Sequence, residues 1–313
     1  MSTRTPAADL GSDSTVPDAA TTSTARRPGS RVRWVRKVGW RHAVALAALA
    51  FALFPVVWIL SASFDPSSSL QGQQLIPDDP TLDNYRTLFD DPNVPYGRWF
   101  LNTMMIAGGA TLINTILCAM AAYAFSRLRF TGRRTGLLSI LLVQMFPQIL
   151  AIVALFAIMQ NIGRVFPAVG LGSQGGLLLI YLGGALGVNT WLMKGFFDSI
   201  PRSLDESAKI DGATHFQIFR IIVLPLAAPV LAVVALLTFI LLINDFLIAS
   251  VMLNDVEDYT LAVGLYRFID GRYGANWGPF AAGALLAALP VILLFQFLQR
   301  YIVSGLTQGA VKE

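Results

Sequence analysis

Six stretches of this chain, residues 42–63, 100–125, 136–160, 176–197, 226–253 and 279–302, are too long and too apolar to sit comfortably in water. A hydrocarbon core about 30 Å thick is crossed by roughly 20 residues of α-helix. Within lipid each backbone N–H and C=O must find its partner inside the protein, which leaves helices as the natural form for such runs. The stretches therefore predict an all-α membrane protein with six transmembrane helices. Composition agrees: 13% of the 313 residues are charged, against roughly 25% in soluble domains, and the mean hydropathy is +0.59.

The first thirty residues are rich in Ser, Thr, Ala, Pro, Asp and Arg and show no apolar periodicity. Such a segment cannot bury enough surface to fold, so residues 1–38 read as a disordered basic tail and 39–313 as the transmembrane domain. Arg31, Arg33, Arg36, Lys37 and Arg41 precede the first apolar run. A basic flank before an apolar run is also the pattern of a signal peptide, but a retained first helix accounts for the rest of the chain as well. Six spans put both termini on one side. Eighteen of the 23 Lys and Arg residues fall on that side, and only Arg86, Arg98, Arg164, Arg267 and Arg272 fall on the other. The positive-inside rule then makes both termini cytoplasmic. It also assigns the net charge of +4 to cytoplasmic loops, with no nucleic-acid partner.

Several chemistries are excluded. One cysteine, Cys118, and two distant histidines, His42 and His215, support neither a disulfide framework nor a metal cluster. No Gly-x4-Gly-Lys-[Ser/Thr] loop is present to cradle phosphate, and no H-E-x-x-H, C-x-x-C or G-x-S-x-G suggests an enzyme. Asp245 is the one carboxylate well inside a span, which by default marks a functional position. With Asn102, Gln144, Asn189 and Asn244 it makes up the candidate lining of a pathway. An ion-coupled secondary transporter would need several intramembrane ionisable groups and an inverted repeat, and neither is visible. Small residues that let helices approach closely occur at Gly108 and Gly109, at Gly183 and Gly187, and over Ala281–Ala284; Pro147 and Pro290 interrupt the third and sixth spans.

The loop over residues 198–225 carries the most information. Ser203 and Glu206 match a capping box, which predicts a helix starting near Leu204. Gly212 is placed to end it in the left-handed conformation. Thr214 and Gln217 form a second capping box, opening another helix towards Pro225. An exposed short helix carrying small and apolar side chains suits insertion into a partner's groove. The pattern alone suits equally well an amphipathic helix lying on the membrane surface.

Glu206-Ser207-Ala208, Asp211-Gly212-Ala213, Phe216, Phe219 and Leu224-Pro225 resemble the EAA loop of ABC importer permeases, with Ser207 in place of the middle alanine. Asn244-Asp245-Phe246 resembles an element of carbohydrate permeases, although Ile243 stands where tryptophan is usual. The C-terminal residues from Gln299, with Trp277-Gly278-Pro279-Phe280, resemble the maltose-permease (MalG-like) type. The resemblance covers roughly residues 43–313 and implies a type I ABC importer permease bundle in a bacterial inner membrane. It implies that the loop couples to an ATPase dimer that binds ATP and Mg, through Glu206, Ser207, Ala208, Asp211, Gly212, Ala213, Phe216, Leu224 and Pro225. It also implies a second homologous permease subunit, an extracytoplasmic sugar-binding protein and a sugar substrate. Maltose, malto-oligosaccharides or a related α-glucoside come first, then trehalose, another sugar or a polyol. The outer loop over residues 253–278 is long, polar and aromatic, and in it Asp258, Tyr259, Tyr266, Arg267 and Tyr273 are expected to touch the binding protein. This chain would then be a transport subunit and no enzyme, with no cofactor of its own.

Overall fold

The computed structural model describes residues 38–69, 73–184, 186–270 and 275–310. The tail before residue 38 and Tyr273 lie outside them. The chain divides into two compact units, Met1–Phe54 and Pro55–Glu313. Described residues of the first unit form the start of helix α1 (Trp40–Phe64), and Val44, Leu46 and Phe51 on it are exposed.

In the second unit the elements follow as α2 (Asp83–Asp90), α3 (Tyr96–Arg127), α4 (Arg133–Gln144), α5 (Gln148–Val165), α6 (Gln174–Gly183), α7 (Val188–Ser199), α8 (Arg202–Ile210) and α9 (His215–Leu226). Then come α10 (Ala228–Ile243), α11 (Leu247–Met252), α12 (Leu261–Tyr266) and α13 (Trp277–Ala310). No strand occurs among the described residues.

Three helices, α1, α3 and α13 (as Trp277–Ile302), are each long and apolar enough to cross a membrane. The count reaches six when each of three bent pairs is one span: α4 with α5 at 97°, α6 with α7 at 50°, and α9 with α10 at 78°. The breaks have local causes. Pro147 has an extended backbone and stands just before α5; a residue ahead of α5 with no N–H and a fixed φ favours a helix start over continuation. Pro225 and Pro229 flank the bend at Ala227, and the six residues Ile218–Val223 preceding it wind as a π-helix. The span expected over 226–253 ends its first helix at Ile243, and Asn244–Phe246 separate it from α11.

Helix α3 is the spine of this unit. It packs against α6, α7, α10 and α12, while α10 packs against α13. Ala107, Ala110, Ala119 and Ala122 are buried along it, and such small side chains permit close helix approach in lipid. The glycines expected to do this divide: a Cβ on Gly108 or Gly183 would meet open space, one on Gly109 would touch Leu178, and one on Gly187 would strike Gln144. Three apolar clusters follow α3 from end to end. Leu88, Tyr96, Trp99, Leu261 and Leu265 gather at its N-terminal end. Ile106, Ala110, Leu177, Phe239 and Met252 fill the middle. Cys118, Ala122, Met193, Phe197, Ile218 and Val223 close the C-terminal end. With 32 residues at 1.5 Å each, α3 holds its two ends about 48 Å apart.

Candidate functional site

The segment from Asp198 to Leu226 sits at the C-terminal end of α3, and its backbone is fixed by local chemistry. Ile200 is extended at ψ 126°, as the residue before a proline prefers. Pro201 is the N-cap of α8, with no side-chain cap. The expected Ser203–Glu206 box therefore does not form: α8 already begins at Arg202, so Ser203 lies inside the helix and lacks the non-helical backbone a cap requires. At the other end Ala213 N donates to Ala208 O at 2.9 Å and Gly212 N to Lys209 O at 3.0 Å. Together with φ +84° at Gly212, these bonds make a Schellman motif. The capping box at Thr214 forms in full: Gln217 N donates to Thr214 Oγ1 at 3.3 Å, and Thr214 N donates to Gln217 Oε1 at 2.8 Å.

This geometry divides the segment into two sets of side chains. Ala208, Ala213 and Leu224 pack against the cluster at the end of α3, alongside buried Ile218 and Phe219. Glu206, Ser207, Asp211, Gly212, Phe216 and Pro225 are exposed. Three large apolar side chains of the segment are strongly exposed, Ile210 at 88%, Ile221 at 67% and Phe216 at 65%. A pair of short helices joined by a glycine turn thus holds apolar and acidic side chains outward, and an exposed apolar face of this kind suits contact with a protein partner or a membrane surface.

Residues that the motif reading passed over hold the segment in place. Tyr123 Oη donates to His215 O at 3.1 Å, and its ring lies 5.0 Å from that of Phe219. Ser126 Oγ donates to Asp198 Oδ1 at 2.6 Å, and Lys194 pairs with the same carboxylate. Arg127 Nη2 donates to Ile200 O at 2.9 Å, while its Nε lies 2.7 Å from Asp205 Oδ2. Apart from Lys194–Asp198, four residues apart on one helix, neither charge run nor periodicity marks these contacts, because each joins residues far apart in the chain. The available signal was weaker: Asp205 is an acid on the inward side of an otherwise exposed helix.

At the opposite end of α3 the segment 254–270 is largely folded, where a polar loop was expected. Trp99 Nε1 donates to Val256 O at 2.6 Å, and Asn102 Nδ2 to Glu257 O at 2.8 Å and Tyr259 O at 3.1 Å. Leu261 N donates to Thr103 Oγ1 at 2.7 Å, and Arg98 pairs with Glu257. Asp258 accepts from Gln174 Nε2 at 3.0 Å. Tyr259 is half-buried, Tyr266 is exposed with its ring 4.6 Å from that of Phe246, and Arg267 is half-buried.

The other expected pathway residues are held by neighbours too. Asp245 accepts from Tyr181 Oη at 2.7 Å and from the backbone N–H of Ile248 and Ala249, which caps the first turn of α11. Asn189 Nδ2 donates to Thr238 Oγ1 at 3.2 Å, and exposed Asn244 Nδ2 donates to Ile240 O at 2.7 Å within its own helix. Gln144 Oε1 accepts from Val188 N at 2.7 Å, and its amide fills the space where Gly187 lacks a side chain. Two broken spans thereby meet at their breaks.

A helical membrane bundle with broken spans and a turn-locked helix pair projecting from one end is the build of a transport permease. The chain belongs to the family of binding-protein-dependent transport system inner membrane components, matched over residues 96–308. It is 40% identical over 284 residues to the maltose/maltodextrin transport system permease protein MalG of Vibrio parahaemolyticus, covering 87% of this chain and 94% of that protein. It is 45% identical over 262 residues to the galactooligosaccharides transport system permease protein GanQ of Bacillus subtilis, covering 83% and 90%. Among solved structures, a bacterial ABC transporter involved in the import of the acidic polysaccharide alginate matches with a TM-score of 0.70 at 27% identity, covering 86% of this chain and 98% of that one. The alginate transporter in complex with a periplasmic protein matches in fold with a TM-score of 0.57 at 19% identity. The chain is thus a multi-pass membrane permease subunit.

Proposed function

We propose that this chain is one of two permease subunits of an ATP-driven importer that takes up maltose, malto-oligosaccharides or a related α-glucoside delivered by an extracytoplasmic binding protein. The observation that carries this reading is the Schellman turn at Gly212, which holds Glu206, Ser207, Asp211 and Phe216 outward while Ala208 and Ala213 pack inward. In this reading the exposed set docks in a groove of the ATPase subunit, which holds ATP and Mg. Closure of the ATPase dimer moves α8 and α9, and the spans rock between inward- and outward-facing states. The Lys and Arg distribution orients α8 and both termini to the cytoplasm. At the outer end Asp258, Tyr259, Tyr266, Arg267 and Tyr273 form the contact with the binding protein. Asn102, Gln144, Asn189, Asn244 and Asp245 are the polar side chains that the pathway can use.

The sugar class rests on the relatives. The 45% identity to the galactooligosaccharide permease exceeds the 40% to the maltose permease, so galactooligosaccharides are the second reading. The test is ATP hydrolysis and uptake in proteoliposomes holding this chain with its partner permease, ATPase and binding protein, across maltose, maltotriose, trehalose and galactobiose. Stimulation by one α-glucoside is the expected result; stimulation by galactobiose alone would replace it with the second reading. Gly212→Asp places a side chain where φ is +84° and is expected to abolish stimulated hydrolysis and uptake in an assembled complex. Unchanged hydrolysis and uptake in that variant would refute the docking role of the segment.

A further inference from the structure

We infer that Arg127 and Asp205 are positioning residues: their buried ion pair makes the projecting helix α8 move as one body with α3, so that motion imposed on α8 enters the bundle through α3. This rests on the coupling role proposed above and names the route by which that role reaches the membrane.

Arg127 is the last residue of α3, and Asp205 lies in the first turn of α8. Their side chains are only 4% and 8% exposed, and Arg127 Nε lies 2.7 Å from Asp205 Oδ2. Arg127 Nη2 also donates to Ile200 O at 2.9 Å, so one guanidinium grips both the helix and the strand of chain leading into it. Charge satisfaction is incomplete. Arg127 Nη1 and Asp205 Oδ1 are buried without a hydrogen-bond partner among the described residues, and the Nε contact is an approach of charges with no aligned hydrogen bond. An apolar pair of similar volume commonly gives equal or better stability than a buried ion pair. What an ion pair adds is a fixed mutual position, since sliding either charge away leaves the other buried and unpaired.

The surrounding contacts make the same connection. Tyr123, Ser126 and Arg127 occupy the last turns of α3, and between them they hold Asp198 of α7, Ile200, Asp205 of α8 and His215 of α9. Outside these, α8 packs on the π-helical residues Ile218–Val223 of α9, with half-buried Ala208 against the apolar cluster. Sequence continuity would send motion from α8 into its neighbours α7 and α9. The Arg127–Asp205 pair adds a direct route to α3, which packs against α6, α7, α10 and α12 and reaches the opposite end of the bundle.

The test uses the assembled complex, with spin labels on Lys209→Cys in α8 and Met120→Cys on the exposed face of α3. With the native pair, the interlabel distance distribution is expected to stay narrow with and without ATP. In Asp205→Asn it is expected to broaden at least twofold, and uptake per ATP hydrolysed to fall about tenfold while hydrolysis continues. Arg127→Lys keeps the charge but cannot reach both partners, so an intermediate loss is expected; this variant also serves if Asp205→Asn fails to assemble. A distribution as narrow as the native one, with an unchanged ratio of uptake to hydrolysis, in either assembled variant overturns the proposal. If that happens while Gly212→Asp still abolishes stimulated hydrolysis, only the strut fails. If Gly212→Asp is silent as well, the coupling role itself fails.

Discussion

At the scale of single residues, the polar side chains of this protein are mostly in use within the protein itself. Asn102 is the clearest case. An amide in a span reads as pathway lining, and its N–H groups also hold the carbonyls of Glu257 and Tyr259, contacts that no local pattern could reveal. Gly212 was legible because a glycine between two capping signals has few other uses. Gly264 was not, since its role depends on a tryptophan 165 positions away in the chain, counted from Trp99. A Cβ on Gly264 would fall 2.2 Å from Trp99 Cε3. The indole cannot retreat, because Trp99 is 1% exposed and donates to Val256 O. Gly264→Ala is therefore expected to destabilise the fold by about 1–3 kcal/mol, seen as a lowered unfolding temperature in detergent. A temperature equal to wild type would mean that α12 is free to shift away from α3.

At the scale of elements, capping chemistry was readable where it is local. The Thr214–Gln217 box and the left-handed turn at Gly212 are both present. The Ser203–Glu206 box failed because Pro201, two residues earlier, begins the helix first. Helix breaks were only half legible. Pro147 marks the bend between α4 and α5, but Gly183 and Gly187 read as a packing pair, whereas the chain bends by 50° between α6 and α7. The segment 254–270 shows a related limit: its polar composition suggested a loop, yet Leu261 and Leu265 belong to the core around Trp99. Removing that segment would damage the core, so a surface change is the informative probe. Tyr266→Ala removes an exposed ring at this end and is expected to reduce binding-protein-stimulated ATP hydrolysis several-fold while leaving the unstimulated rate intact. Equal stimulation in mutant and wild type would remove Tyr266 from the contact surface.

At the scale of the whole molecule, hydropathy made the membrane class plain, because runs near 20 apolar residues have few other uses. It could not distinguish a straight span from a bent pair: among the described residues three helices are long and apolar enough to cross alone, and six spans are reached only by pairing helices bent by 50° to 97°. Nor could it show that α3 runs through all three apolar clusters. That helix sets the segment 198–226 and the segment 254–270 at opposite ends of the bundle. The central claim is that the exposed face carrying Phe216 meets the ATPase subunit, and site-specific photocrosslinking in the assembled complex tests it directly. A benzophenone side chain placed at Phe216 is expected to capture the ATPase subunit, and one placed at Tyr266 to capture none of it. A complex that hydrolyses ATP, yet shows no ATPase crosslink from position 216, would contradict the account.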